Sequence, residues 1–550
     1  MNTDQKGPEP GLCMAGIQSL DGGPDQGEAE PNPGPQNLCS SVFICGVLPQ
    51  RRGLARIVCL ALAVLALALA ADRSGAAELP GAEEVFQRHV EAIGGAAALR
   101  KPQSLVFRGE ADLIPLKAKA PIEICVQAPD RFFLRLKYHH AFFGVLRVPF
   151  VGVRQPECGY DGTNSWAVDF ERKVEPLTGS EAVFFRALLD KVSPLYFSRA
   201  FRLTRTLDIE RFGERECYRV LVVFPSGDHA FEYYDVERGL LVGAIYPYGE
   251  DGGEFNIRLT WSDYRRLGCG LRVPFQIDAE VFGQRYILRA ETIQTDEAGF
   301  SIPGSKSKDA PAPIPMLQPD SKPAQTIIAN YIEAMGGEAA IRSHTSIHIS
   351  GQLRDPRGKG VSSPIEIFSA MTNRFSLKVQ LPKGLHRQGC DGQRYWRATG
   401  TEVSFATGKD LEQRLAQQDF TTALHAPENF RSTETLGTLN PDGRECFQVL
   451  LVRKGGEVFD EFYDAKTGLL RRSRCTFEGS GGALDLVETC DDYRRFGNEM
   501  VPARQVYSGP GFTEELTISA VEWDKVPDTV FELPADLKAA WERKPAAKAK

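Results

Sequence analysis

The sequence predicts an α+β protein in which one antiparallel-sheet domain occurs twice. Three observations lead there. Asp263-Tyr264-Arg265-Arg266-Leu267-Gly268 returns as Asp492-Tyr493-Arg494-Arg495-Phe496-Gly497, 229 residues later (492 − 263). Each copy is followed by a Val-Pro step, Val273-Pro274 and Val501-Pro502. Around both, short runs alternate apolar and polar residues at period two. A 229-residue period far exceeds a solenoid unit of a few tens of residues, so the repeated object is a domain.

A chain of 550 residues, 42% hydrophobic and 25% charged, has enough apolar content for two cores. A net charge of −7, without a long Lys/Arg run, argues against a nucleic-acid surface.

Residues 1–46 are rich in Gly, Pro, Asn, Gln and acid and are expected to be a disordered leader. Segment 47–77 joins basic Arg51, Arg52 and Arg56 to the apolar run Ile57 to Ala71 and then to Ser74-Gly75-Ala76-Ala77. That is the grammar of a secretory signal. The run falls short of the roughly 20 residues that span a bilayer, and an uncleaved signal anchor is the alternative. A start near Val42 or Val47 would give the signal its usual terminal place. The expected location is periplasmic, or inner-membrane-anchored with periplasmic domains.

The two copies are placed at 78–303 and 324–534, joined by a Pro/Ser/Lys linker at 304–323 and followed by a basic tail at 535–550. Each opens with an apolar helical stripe, Val85, Phe86, His89, Val90, Ile93 in one and Ile327, Ile328, Tyr331, Ile332, Met335 in the other, ended by a Gly-Gly pair. His89 falls at the place of Tyr331 and so is expected at a core edge. Phe132, Leu134 and Leu136 then alternate with Phe133, Arg135 and Lys137; Phe375, Leu377 and Val379 alternate with Arg374, Ser376 and Lys378. Such strands bury one face. Asp161-Gly162 and Asp391-Gly392 mark turns ahead of Trp166 and Trp396. Helical stretches are expected from Glu181 to Lys191 and from Lys409 to Gln418. Arg131 matches Arg374 at an offset of 243 and Asp161 matches Asp391 at 230, so the first copy has about 13 extra residues near 139–150. This apolar insertion lengthens core strands, covers a cavity or touches a membrane.

Gly159-Tyr160-Asp161-Gly162 with Trp166, Tyr234-Asp235 with Gly239-Leu240-Leu241, and Asp263-Tyr264-Arg265-Arg266 with Val273-Pro274, together with their second-copy partners, resemble the outer-membrane lipoprotein-sorting (LolA-like) carriers. The resemblance spans most of 82–303 and 324–534. It implies an open half-barrel sheet with an N-terminal helix and a central helical plug, holding acyl chains in an apolar concavity. A tandem duplication is not that family's usual form, and its regulatory arginine has no match here.

G-x-S-x-G, H-E-x-x-H, P-loop and C-x-x-C motifs are missing, so the expectation is a non-enzyme without a cofactor or metal. Its partner would be a lipid or an acylated protein. Membrane contact would run through the signal anchor or the 139–150 insertion. Candidate lining residues are Phe132, Leu134 and Leu136 in the first copy, with Phe375, Leu377 and Val379 in the second. Candidate headgroup contacts are Arg265, Arg266, Arg494 and Arg495, set against ordinary solvated strand ends. His344 with His348, and His139-His140, are weak metal pairs. Asp161 and Asp391 suit turns better than acid/base roles. The eight cysteines after residue 77 leave disulfides and buried thiols both open. The rivals are an envelope scaffold without a ligand cavity and an enzyme of unrecognised class.

Overall fold

The structure is a computed structural model; it describes residues 79–128, 131–136, 157–161, 164–168, 174–177, 201–248, 255–281, 284–297, 317–356, 362–381, 384–400, 402–418, 420–479, 482–509 and 512–542. The insertion at 139–150, the Glu181 to Lys191 helix and the leader and signal segments lie outside these residues. Among the described residues no helix is long and apolar enough to cross a membrane.

The first half begins with helices α1 (Ala82–Ala92) and α2 (Gly95–Leu99). Strands β1 (Ser104–Leu113), β2 (Ala118–Gln127), β3 (Arg131–Leu136), β4 (Glu157–Tyr160), β5 (Ser165–Val168) and β6 (Val174–Pro176) run outward in sequence order. The chain then returns through β7 (Leu203–Phe212), β8 (Arg215–Val223), β9 (His229–Asp235), β10 (Leu241–Tyr248), β11 (Phe255–Arg266), β12 (Arg272–Val281) and β13 (Gln284–Thr295). Because β13 pairs with β1, the sheet has the order 6-5-4-3-2-1-13-12-11-10-9-8-7, with all pairs antiparallel.

The second half repeats this order. It has α3 (Ala324–Ala334), α4 (Glu338–Ser343), β14 (Ser346–Arg354), β15 (Ser363–Ala370), β16 (Arg374–Leu381), β17 (Gly384–Asp391), β18 (Tyr395–Thr399), β19 (Glu402–Phe405) and helix α5 (Gly408–Gln417). β20 (Phe430–Leu439), β21 (Cys446–Arg453), β22 (Val458–Asp464), β23 (Leu470–Gly479), β24 (Gly482–Phe496), β25 (Glu499–Gly509) and β26 (Phe512–Trp523) complete it. The segment expected to be a basic tail opens with helix α6 (Ala535–Glu542), whose Leu537 is buried against Trp396 and Leu533. Apolar Leu537 and Trp541 give this stretch a face to bury, which the Lys/Ala content of the last residues obscures.

The recurring motifs are turn and strand-kink chemistry. Asp263 and Asp492 have φ of +53° and +50° and drop out of the strand pairing, which continues from Ser262–Gln276 to Tyr264–Pro274. A short polar side chain tolerates this left-handed kink, across which the strand register is kept. The following tyrosines then lock the neighbouring strand: Tyr264 Oη donates to the Leu241 carbonyl at 2.6 Å and Tyr493 Oη to that of Leu470 at 2.7 Å. Gly159 and Gly389 sit beneath the cross-strand rings of Trp166 and Trp396, where any Cβ would collide with the indole.

The halves meet through the outer faces of their sheets. On β8, Val220 and Val222 face the core inside the first half, while Leu221 and Val223 pack with Leu436, Leu450, Val452 and Val458 of the second. Burial on both faces explains why Val220 to Val223 and Val449 to Val452 are unbroken apolar runs rather than alternating ones. Leu317, at the end of the expected linker, is buried in the same cluster, and Gln318 pairs with Thr438.

This interface is isologous, as in a twofold dimer. Arg219 donates to the Gly456 carbonyl at 3.2 Å, and Gln448, 229 residues on, donates to that of Gly227 at 2.8 Å. Arg202 donates to Leu436 O at 3.1 Å, and Arg431 answers on Leu207 O. Asn256 meets its own counterpart Asp485 at 2.9 Å, and Arg205 meets Glu434.

Candidate functional site

In the first half the sheet curves around helices α1 and α2 and leaves a cleft of about 950 Å³, counted out to its open mouth. Period-two alternation supplies its walls: Leu105 and Phe107 from β1, Ile124 and Val126 from β2, Phe132 and Leu134 from β3, Leu259 and Trp261 from β11, Ile277 from β12 and Leu288 from β13. Ile93 and Leu99 close it from the helices, and Leu271 from the β11–β12 loop. Helix and loop are tied by the Arg272 amide, which donates to the Ile93 carbonyl at 2.7 Å.

Polar groups in the lining are few. His89 is buried; its Nδ1 accepts from the Leu241 amide at 3.1 Å and its ring meets Tyr234 edge-on. Tyr264 turns its hydroxyl onto backbone, and burial pushes that phenol above its usual range. Arg272 stands at the mouth, its side chain exposed.

Among the sequence-derived lining residues, Phe132 and Leu134 stand on this wall, while Leu136 is buried in the adjoining core. Leu377 and Val379 pack into a core with Leu353, Ile365, Leu516 and Ile518, and Phe375 packs against its edge. Of the arginines, Arg265 and Arg494 are held by the positive-φ aspartates, Asp263 and Asp492, at 2.5 Å. Arg495 donates to the Asn498 carbonyl at 3.0 Å. Arg266 is exposed and lies opposite Arg272 in the strand register.

The second concavity is chemically different. Register places Glu488 where the first half has Leu259, Cys490 for Trp261, Gln505 for Ile277 and Glu499 for Leu271. Tyr507 donates to Glu488 at 3.2 Å, and burial pushes this carboxyl above its ordinary range. Glu461 is buried with His425 at 2.8 Å and Tyr463. Burial opposes charging both partners, but their mutual attraction wins: the His425 imidazole is raised and the Glu461 carboxyl lowered. The Glu461–Tyr463 pair has its counterpart in the first half, where Tyr234 donates to buried Glu232, whereas Glu488 stands against Leu259, a difference that aligning the copies position by position exposes.

Other polar candidates settle into structural places. His344 bridges Glu499 at 2.9 Å and Asp524 at 2.6 Å, and His348 pairs instead with Glu366 and Glu522. Asp391 accepts the Gln393 and Arg394 amides at 3.0 and 2.7 Å, and Asp161 accepts that of Asn164 at 2.9 Å, as Asx turns do. Among the described residues no disulfide joins the eight cysteines after residue 77, and all but Cys269 are buried.

No family model and no curated protein matches the chain. Solved structures do. A LolA superfamily protein from Nitrosomonas europaea is 13% identical, covers 39% of this chain and 99% of its own, and has a TM-score of 0.28. A structure assigned as an outer membrane lipoprotein-sorting protein domain from Vibrio parahaemolyticus is 10% identical over 40% of this chain and 100% of its own, with a TM-score of 0.27. Lipoprotein LppX from Mycobacterium tuberculosis is 12% identical over 37% and 97%, with a TM-score of 0.18. Each is similar to about two fifths of this chain.

Proposed function

We propose that this is an exported, non-catalytic binder or carrier whose first half holds the acyl chain of a lipid or lipidated protein. The observation behind the reading is the cleft itself. A packed interior leaves few voids larger than a water molecule, yet here apolar side chains from six strands wall an open-mouthed cleft that holds about 100 Å³ of free space. A lining this apolar needs little polar chemistry to take a hydrocarbon chain. The second half is then the structural partner. An apolar chain in its concavity would displace hydrogen-bond partners of Glu488, Gln505 and Tyr507, at a cost of order 1–3 kcal/mol for each group left unpaired. On this reading segment 47–77 directs export and the protein works in the periplasm or from the inner membrane. Native mass spectrometry of protein from envelope fractions, followed by lipid extraction, tests it. A retained lipid that delipidation removes and a fluorescent fatty acid replaces is the expected result. A protein that retains nothing and binds no probe is a scaffold.

A further inference from the structure

We infer that the ligand of this cleft carries an anionic head, a carboxylate or phosphate, bound at the mouth by Arg266, Arg272 and Lys101. The inference rests on the apolar-ligand reading and adds the chemistry of the head. Arg266 and Arg272 are directly opposed on β11 and β12, and both are exposed. Like charges in that relation repel and destabilise a sheet. Among the described residues neither forms an ion pair, whereas nearby Arg265, Arg285 and Arg289 are matched to Asp263, Asp278 and Asp112. Lys101, at the end of α2, brings a third cation to the same loop, donating to the Cys269 carbonyl at 3.3 Å. All three surround the loop whose Leu271 closes the cleft, and Arg272 itself lines it.

The second half supplies the contrast. Met500 stands where Arg272 does, Ser343 where Lys101 does, and Arg495 is turned onto backbone. The cationic mouth therefore occurs in the half that has the apolar cleft. An anion there would relieve the arginine repulsion through charge-assisted hydrogen bonds while remaining in reach of water, so no buried charge is created.

The test uses the delipidated mature protein and two fluorescent probes with one tail, cis-parinaric acid and its methyl ester. The acid is expected to bind about tenfold tighter than the ester at low ionic strength, with the difference shrinking as salt is added. In the double variant Arg266→Gln, Arg272→Gln the difference disappears while affinity for the ester and the melting temperature hold. Lysine at both positions restores part of it. Stronger displacement by lysophosphatidate than by oleate assigns the head as phosphate, and the reverse assigns a carboxylate. Equal binding of acid and ester by the unmodified protein, or a preference that survives the double variant, overturns the anionic head alone. Binding of neither probe overturns the apolar-ligand reading with it.

Discussion

The two halves share one strand order, one strand kink and one set of turns, yet their interiors have parted. At matched positions the first presents Leu259, Trp261 and Ile277, the second Glu488, Cys490 and Gln505. What the repeat retains is backbone chemistry: an aspartate at positive φ, a tyrosine hydroxyl on a neighbouring carbonyl, a glycine under an indole. Those residues set where strands bend and pair, and they constrain what fills the concavity only loosely. The interface is uneven in the same way. His229, Asp460 and Arg474 of its polar side correspond, at the 229 offset, to Val458, Phe231 and Ile245 on its apolar side. A pairing of two first halves would set His229 against Phe231, and a pairing of two second halves would set Asp460 against Val458. Only unlike halves satisfy both.

That asymmetry yields the largest expected effect. Asp460, fully buried, accepts from His229 at 2.7 Å and from Arg474 at 2.6 Å, while Arg474 also reaches Asp228 at 2.9 Å. Asp460→Ala removes the buried acceptor shared by His229 and Arg474 and is expected to cost about 3–5 kcal/mol in urea unfolding. Expressed apart, halves 78–303 and 317–542 should form a one-to-one complex and neither should pair with itself. Independent halves that ignore each other would break the comparison.

Acid titration separates the same elements. Burial works against charge on Asp460, but His229 and Arg474 hold its carboxyl down at about 2, against 3.8 for the free group. Its contribution is full above 3.8 and is lost as pH falls through about 2. His386 runs the other way: burial, helped by Arg397, lowers it from 6.5 to about 4, so folding favours its neutral form. Stability is therefore lost between those two values and then levels off. Urea midpoints across pH should show both limbs, with Asp460→Asn flattening only the lower and His386→Gln only the upper.

Much of the fold was legible because it rests on local chemistry. Asp263 and Asp492 announced the repeat, and the alternation at Phe132, Leu134 and Leu377 announced the strands. The Arg202–Leu436 and Gln448–Gly227 contacts were not legible, since an arginine and a glutamine in a sequence carry no mark of the face they join. The unbroken run Val220 to Val223 did carry one, a strand buried on both sides. Nor could alternation alone tell a cleft wall from a packed core: Leu134 and Leu377 hold the same place in the sequence pattern.

Truncation sharpens that last distinction. Leu377 is buried in a cluster with Val379, Ile365 and Leu516, so Leu377→Ala is expected to cost about 2–5 kcal/mol and to leave probe binding unchanged. Leu134 gives one side to the cleft and has fewer partners to lose. Leu134→Ala should sit at the low end of that range and weaken parinaric acid binding severalfold. Equal losses of stability at both, with no change in affinity at either, would make the cleft an extension of the core.

The smallest effect belongs to the arginines nearest the mouth that should do nothing there. Arg265 donates through Nε and Nη2 to Asp263 at 3.0 and 2.5 Å and lies over the Phe275 ring, 4.4 Å from its centroid. Arg494 repeats the ion pair with Asp492. Both pairs are in water, where such bridges contribute little. Because successive strand side chains alternate between faces, Arg265 is set on the face opposite Tyr264, which lines the cleft, and Arg266 on the same face as Tyr264. Arg265→Gln and Arg494→Gln should therefore leave both the melting temperature and the preference for acid over ester unchanged, against the loss expected at Arg266 and Arg272. If removing Arg265 weakened acid binding as much as removing Arg266, the preference would reflect the summed charge of the rim rather than a site, and the difference between the two halves would lie in their clefts alone.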